Sequence, residues 1–217
     1  MVVGGSHFYI RALLLGLFPT PPPDPEGRRR LAEAWQTDPA RCFARLQAVD
    51  PTAAARVGPN DRQRILRALE IHESSGETAT ARAAATPQRL HYRPLLLAPG
   101  RAREDLYARI NLRVDSMFAS GLVREVEEIL AAGVDPRAHS LKAIGYREVV
   151  QHLQGACSLA DATAAVKTSS RRLAKRQLSW LRTLREGALR WVPPAERGGV
   201  EVALREWTEF KSGSEAS

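Results

Sequence analysis

The residues best suited to chemistry lie in one basic stretch, Ala164 to Glu186, which reads AAVKTSSRRLAKRQLSWLRTLRE. On a helix of about 3.6 residues per turn, Val166, Leu173, Ala174, Leu181 and Leu184 share one face. Lys167, Arg171, Lys175, Arg182 and Arg185 fall on the other. Cations with almost no Asp or Glu among them before Glu186 repel one another unless an anion lies alongside. The chemistry this pattern fits is anion binding; the alternative is a solvated surface helix. Gln177 lies in the middle of the apolar face. A buried amide without partners costs about 1 to 3 kcal/mol, so it should hydrogen-bond to backbone or to a ligand.

Two glycine-containing stretches offer close backbone approach. Met1 to Val3 reads as a strand fragment running into Gly4, Gly5 and Ser6, followed by a helical pattern through Phe8, Leu13, Leu14 and Leu17. A strand, a glycine turn and a helix let a ligand come near the main chain. Ser6 serves equally well as the helix N-cap. In Leu141 to Arg147, LKAIGYR, a glycine interrupts an apolar and basic run. Tyr146 and Arg147 there could stack on and pair with a nucleotide, or cap a helix from Glu148 to Leu153.

The rest of the composition agrees with an anionic partner. Net charge is +8 over 217 residues and the pI is near 10.2, which favours nucleic acid or an anionic membrane surface. At 44% hydrophobic the chain can bury a core, as one domain or a core with an insert. No apolar run approaches the roughly 20 residues of a membrane span, and Met1 is not followed by a signal-peptide pattern; the expected location is the cytoplasm. Cys42 and Cys157 lack any CxxC or CxxH neighbour, so free thiols are expected and a zinc site is not.

The elements that must position these residues follow from punctuation and period. FPTPPPDP, Phe18 to Pro25, reads as a hinge. Asp-Pro pairs at 24–25, 38–39 and 50–51 each start a short helix. Asn60 and Asp61 open a fourth helix, which Gly76 stops; it buries Ile65, Leu66 and Leu69 and points Arg64 and Arg67 away. His72 is given no role, and Glu77 to Pro87 reads as a loose connector. His91 to Ala98 reads as a strand, its Leu95–Leu97 covered on both sides. Helices follow from Glu104 to Ser120 and from Leu122 to Ala132. Leu189 to Val192 and Val200 to Leu204 read as short strands, and KSGSEAS as a mobile tail.

At this point the order of segments resembles the bacterial tRNA dimethylallyltransferases. The resemblance rests on VGGSHFYIRALLLGL, PPPDPEGR, NDRQRILRALE, LYARINLRVDSMFASGLVREV, KAIGYRE and SSRRLAKRQLSWLR, six segments in order over almost the whole chain. It implies an α/β fold: the remnant of a P-loop-type parallel sheet with covering helices, plus a small all-helical insert, predominantly helical as it stands. Residues 1–18 and 89–192 would form the catalytic core remnant, 19–88 the tRNA-binding insert with its connector, and 193–217 a tail. The implied activity transfers a dimethylallyl group from dimethylallyl diphosphate to N6 of adenosine 37 of tRNA, next to the anticodon, releasing diphosphate. The implied partners are the tRNA anticodon arm and that diphosphate, with no membrane and a monomeric protein.

Position by position, the family's glycine-glycine-threonine turn falls on Gly4, Gly5 and Ser6, with Ser6 as the catalytic hydroxyl beside the target adenine. Arg28 is expected to touch the tRNA near that base. The other tRNA-binding positions implied are Gln63, Arg64, Ile65, Leu66 and Arg67, then Lys142, Ala143, Ile144, Gly145, Tyr146 and Arg147. A last group comprises Lys175, Arg176, Gln177, Leu178, Ser179, Trp180, Leu181 and Arg182. Arg103 is the candidate for holding the diphosphate, with Arg109 as the alternative.

The family's phosphate loop, GxxxxGKS or GxxxxGKT, occurs nowhere in these residues, nor does the aspartate that follows it. The expectation is therefore a chain lacking roughly the first third of the enzyme. The magnesium (Mg) implied by the family has no expected site here, since that loop would share the diphosphate charge with it. Three readings follow: part of a tRNA prenyltransferase, a catalytically silent tRNA-binding module, or a generic basic helical protein. A sheet without its central strands would expose apolar edges and make the isolated chain poorly soluble.

Overall fold

Aspartate followed by proline sets the pattern of the first half. The structure, a computed structural model, describes residues 1–86, 93–184 and 188–215. The expected strand start at His91 and the cation Arg185 of the basic stretch lie outside the described residues. The chain divides into two compact units, one of Arg11–Tyr92 and one of Met1–Ile10 with Arg93–Ser217. After α1 (His7–Leu15) come α2 (Pro25–Thr37), α3 (Pro39–Val49) and α4 (Pro51–Ala54). The carboxylates of Asp24, Asp38 and Asp50 accept from the backbone N–H of Glu26, Arg41 and Ala53 at 3.1, 2.9 and 2.9 Å. Proline at the first helical position has no N–H to leave unpaired, so the cap and the proline act together.

Asp61 caps α5 (Arg62–Ser75) by accepting from Arg64 N–H at 3.2 Å, and Gly76 ends it with φ 70°. The expected loose connector is a helix, α6 (Ala79–Ala85), capped by Thr78. Alanine is the strongest helix former, and its lack of an amphipathic period hid the element. Leu31, Leu46, Ile65 and Leu69 fill the core of this unit with Cys42 and Ala54. Asp50, 4% exposed, also accepts from the Thr80 backbone N–H at 3.0 Å and its hydroxyl at 2.8 Å, tying α6 to the start of α4. Burial alone would raise its pKa, but the Ala53 and Thr80 donors outweigh it and hold the carboxyl below the ordinary range.

In the second unit, β1 (Leu95–Pro99) pairs in parallel with β2 (Ala188–Val192), Leu95 opposite Ala188 and Pro99 opposite Val192. Between them run α7 (Arg103–Ala119), α8 (Leu122–Ala131), α9 (Tyr146–Leu153) and α10 (Leu159–Thr183). Helix α10 packs on α7 and α9, and α11 (Gly199–Glu215) on both strands. Leu122, Val126, Leu141, Val149 and Val150 form one buried cluster. Helices dominate around a two-stranded parallel sheet, the architecture the resemblance implied.

Four expectations are corrected here. Met1–Val3 is exposed and pairs with no strand among the described residues; an apolar run becomes a strand only with a hydrogen-bonding neighbour. Leu95–Leu97 is not covered on both faces, for Leu97 is 38% exposed and only Ala98 of the strand is buried. Val200–Leu204 and the start of the expected tail belong to α11, because Val200, Leu204 and Trp207 recur at helical, not alternating, spacing. In the basic helix Leu173 is 40% exposed. There Lys167 pairs with Asp115 at 2.6 Å, and Arg171 donates to Asn111 at 2.7 Å and Thr168 at 3.0 Å. Contact with α7 turns those two cations inward.

Replacing Asp50 with Ala removes a cap and strands two Thr80 donors. Urea unfolding is expected to show a loss of about 2 to 4 kcal/mol. With its pKa depressed in the folded state, the Asp50 contribution is present at neutral pH and is lost as pH falls through that depressed value.

Candidate nucleic-acid interface

Gln177 finds the backbone partner its position demands: its side-chain N–H donates to the Gly5 carbonyl at 2.8 Å. A Cβ at Gly5 would lie 2.5 Å from that nitrogen, so a side chain there would displace the Gln177 amide. The His7 and Trp180 rings lie 5.5 Å apart, tilted by 36°. The glycine turn therefore rests on the last third of α10. Ser6 is exposed; its carbonyl accepts from Ile10 N–H at 3.0 Å. Among the described residues its hydroxyl caps nothing.

The LKAIGYR stretch forms a 3-10 turn at Ser140–Lys142 and then enters α9 at Tyr146, two residues before the expected start. Gly145 makes that entry at φ 103°, ψ −60°, where a side chain is strained. Glu148, 2% exposed, accepts from Gly145 N–H at 2.9 Å, from the Arg147 guanidinium, and from the Ser169 hydroxyl of α10 at 3.2 Å. Burial pushes the Glu148 pKa up, but the Gly145 and Arg147 hydrogen bonds prevail and lower it. Half of the Arg147 side chain stays accessible. The Tyr146 hydroxyl donates to Glu125 at 2.5 Å, which raises the phenol pKa. Lys142 and Ala143 are exposed and Ile144 is half-buried.

Further along α10, Arg172, Lys175, Arg176, Ser179 and Arg182 are exposed, while Gln177, Leu178, Trp180 and Leu181 are half-buried. The exposed positions span about 15 Å at 1.5 Å per residue. Among the described residues, none of the four cations pairs with a carboxylate. This stripe, rather than the row through Lys167 and Arg171, is the free basic face.

The helical unit repeats the arrangement seen at Glu148. Glu70, 5% exposed, accepts from Arg28 at one oxygen and from Arg67 at the other, both at 2.7 Å. The two arginines are 51% and 38% exposed at their side chains, so each keeps donors facing outward. Burial would raise the Glu70 pKa, but the hydrogen bonds from Arg67 and Arg28 overcome it and hold the carboxyl low. Arg67 thus does not simply point away. Gln63 and Arg64 are exposed, Arg64 lying 3.5 Å from Asp61. Leu66 is half-buried. Ile65 is fully buried, so its side chain serves the core and offers nothing to a ligand.

Of the two diphosphate candidates, Arg103 is exposed and lies over the Tyr107 ring at 5.1 Å. Arg109 is occupied, donating to Glu196 at 2.6 Å and Asp105 at 3.3 Å, where Arg101 and Arg197 also converge. Among the described residues no group of three His, Cys, Asp or Glu could hold a metal ion.

The sequence profile of the family described as IPP transferase matches residues 1–184. The chain belongs to that family. It is 43% identical over 212 residues to a tRNA dimethylallyltransferase of Syntrophobacter fumaroxidans, covering 94% of this chain and 60% of that protein. To the enzyme of Geobacter sulfurreducens it is 43% identical over 198 residues, covering 88% and 62%. The chain thus spans about three fifths of these relatives. The crystal structure of the tRNA isopentenylpyrophosphate transferase of Bacillus halodurans is 29% identical, with TM-score 0.56 over 97% of this chain and 67% of that one. A eukaryotic dimethylallyltransferase acting on tRNA gives TM-score 0.75 over 97% and 56%, at 23% identity, and shares the fold.

Sequence reasoning passed over Glu70, Glu125, Glu148 and Arg172. Arg67 and Glu70 stand at i,i+3, and Glu148 stands three residues after Gly145. Those spacings are the signals that could have found two of them. Gly145→Ala forces a side chain into the positive-φ turn, and thermal or urea melts should show a loss of roughly 1 to 3 kcal/mol.

Proposed function

We propose that this chain is the tRNA-gripping part of a tRNA dimethylallyltransferase of the cytoplasm, working as a monomer on the anticodon arm. The observation that carries this is the family match across residues 1–184, combined with outward-facing arginines and lysines at the motif positions. In the reaction, N6 of the adenosine beside the anticodon forms a bond to the allylic carbon of dimethylallyl diphosphate. The carbon–oxygen bond to diphosphate breaks, and N6 gives up a proton to a base. The demands are an adenine taken out of the stack, a neutralised leaving group and a proton acceptor.

The residues present supply the first demand. Arg28, Arg64, Arg67, Arg147 and the α10 stripe bind RNA phosphates, and the Gly4-Gly5-Ser6 turn brings the uncapped Ser6 hydroxyl to the adenine. Tyr146, fixed by Glu125, offers a ring face for stacking. Arg103, free of ion pairs among the described residues and at the N-terminus of α7, bears on the diphosphate. A second reading is an anticodon-arm binding module without transfer, resting on the four α10 cations that pair with no carboxylate among the described residues.

Fluorescence titration with an anticodon stem-loop carrying adenosine beside the anticodon tests the grip. Affinity should fall with salt, and Arg147→Ala should make the slope of log K against log salt shallower by about 0.7 to 0.9. Replacing that adenosine with uridine should weaken binding; equal affinity for any RNA would exclude both readings and leave a generic basic protein. Product formation from dimethylallyl diphosphate by the same preparation separates transferase from binding module.

A further inference from the structure

Two buried carboxylates, in separate units, share one arrangement that the proposed reaction does not use. Glu70 holds Arg28 and Arg67 from inside the helical core. Glu148 holds Arg147, and with it the Gly145 turn and Ser169 of α10. In each case the acid is hidden and the arginine is half-exposed.

A carboxylate beside a phosphate-binding arginine has two opposing effects. It cancels one positive charge, which weakens attraction for RNA. It also fixes a long side chain, so less rotamer freedom is lost when the arginine meets a phosphate. If charge alone mattered, an acid under each arginine would be a defect. The geometry argues for the second effect. Glu70 uses both oxygens, taking the Nε of Arg28 and one terminal nitrogen of Arg67, which leaves the remaining N–H groups of each guanidinium for an outside acceptor. Arg28 and Glu70 are 42 residues apart, so the contact also joins α2 to α5 at that point.

We propose that Glu70 and Glu148 are positioning residues for RNA binding, each acting through its arginine. The proposal rests on the reading of the chain as a tRNA binder. It excludes a role for either acid in touching RNA or taking the N6 proton, because both are enclosed and already engaged.

The test compares the full chain with its Glu70→Gln and Glu148→Gln variants, using the adenosine-containing anticodon stem-loop RNA from 50 to 300 mM salt. Glutamine keeps an acceptor oxygen but loses the charge that holds the guanidinium. Each variant should bind several-fold more weakly, with the salt slope shallower by about 0.7 to 0.9 for every phosphate its arginine no longer reaches. Glu70→Gln should cost nothing further in an Arg28→Ala/Arg67→Ala background. A melting curve taken alongside gives the folded fraction, and the salt slope of the folded protein does not depend on its stability. Glu148→Asp restores the charge and should recover part of the affinity. Unchanged or tighter binding by folded Gln variants would overturn the proposal, since the acids would then only drain charge. Failure of the unmodified chain to bind the RNA would instead overturn the tRNA reading on which it rests.

Discussion

The structure depends on buried carboxylates that are never left alone. An unpaired carboxylate in a core costs on the order of 3 to 5 kcal/mol when its partner is removed, so each of these acids dictates where its donors go. Asp50 gathers Ala53 and Thr80, Glu70 gathers Arg28 and Arg67, and Glu148 gathers Gly145, Arg147 and Ser169. The first fixes helices to one another. The other two do so while fixing arginines at the surface, so packing and the basic surface share the same interactions.

Helix α10 ties the remaining parts together by a division of labour along its length. Its first half packs through Ala162 and Val166 and pairs Lys167 and Arg171 internally. Its second half supports the Gly5 turn through Gln177 and Trp180 and leaves Arg172, Lys175, Arg176 and Arg182 free among the described residues. Four cations without carboxylate partners on one helix are tolerable in water, where screening limits their repulsion, and become favourable beside phosphates. In the proposed reading the glycine turn and the basic stripe therefore serve the same ligand.

Much of this was legible in the sequence because it rests on local rules. The three Asp-Pro starts, the Asp61 cap, the Gly76 stop and the need of Gln177 for a backbone partner all follow from chemistry within a few residues. Ser6 was legible only as a residue with two equal uses, and its uncapped hydroxyl removes one. What escaped depends on contacts distant in the chain. No periodicity announces that Asp115 and Asn111 turn Lys167 and Arg171 inward, that Thr80 reaches Asp50, or that Arg28 meets Glu70. Helix α6 escaped because alanine-rich sequence has no buried stripe to read, and α11 because short windows of it look like strand. Ile65 entered the expected contact set as one of a run, although its own pattern already put it in the core.

The central claim is that the Gly145 turn and the basic stripe of α10, in one unit, grip RNA. It is tested most directly by photo-cross-linking an anticodon stem-loop with 4-thiouridine placed beside the target adenosine, then mapping the attached peptides by mass spectrometry. The account predicts adducts within Lys142–Arg147 and within Lys175–Arg182. Adducts confined to α11, or scattered without preference over the basic surface, would contradict it.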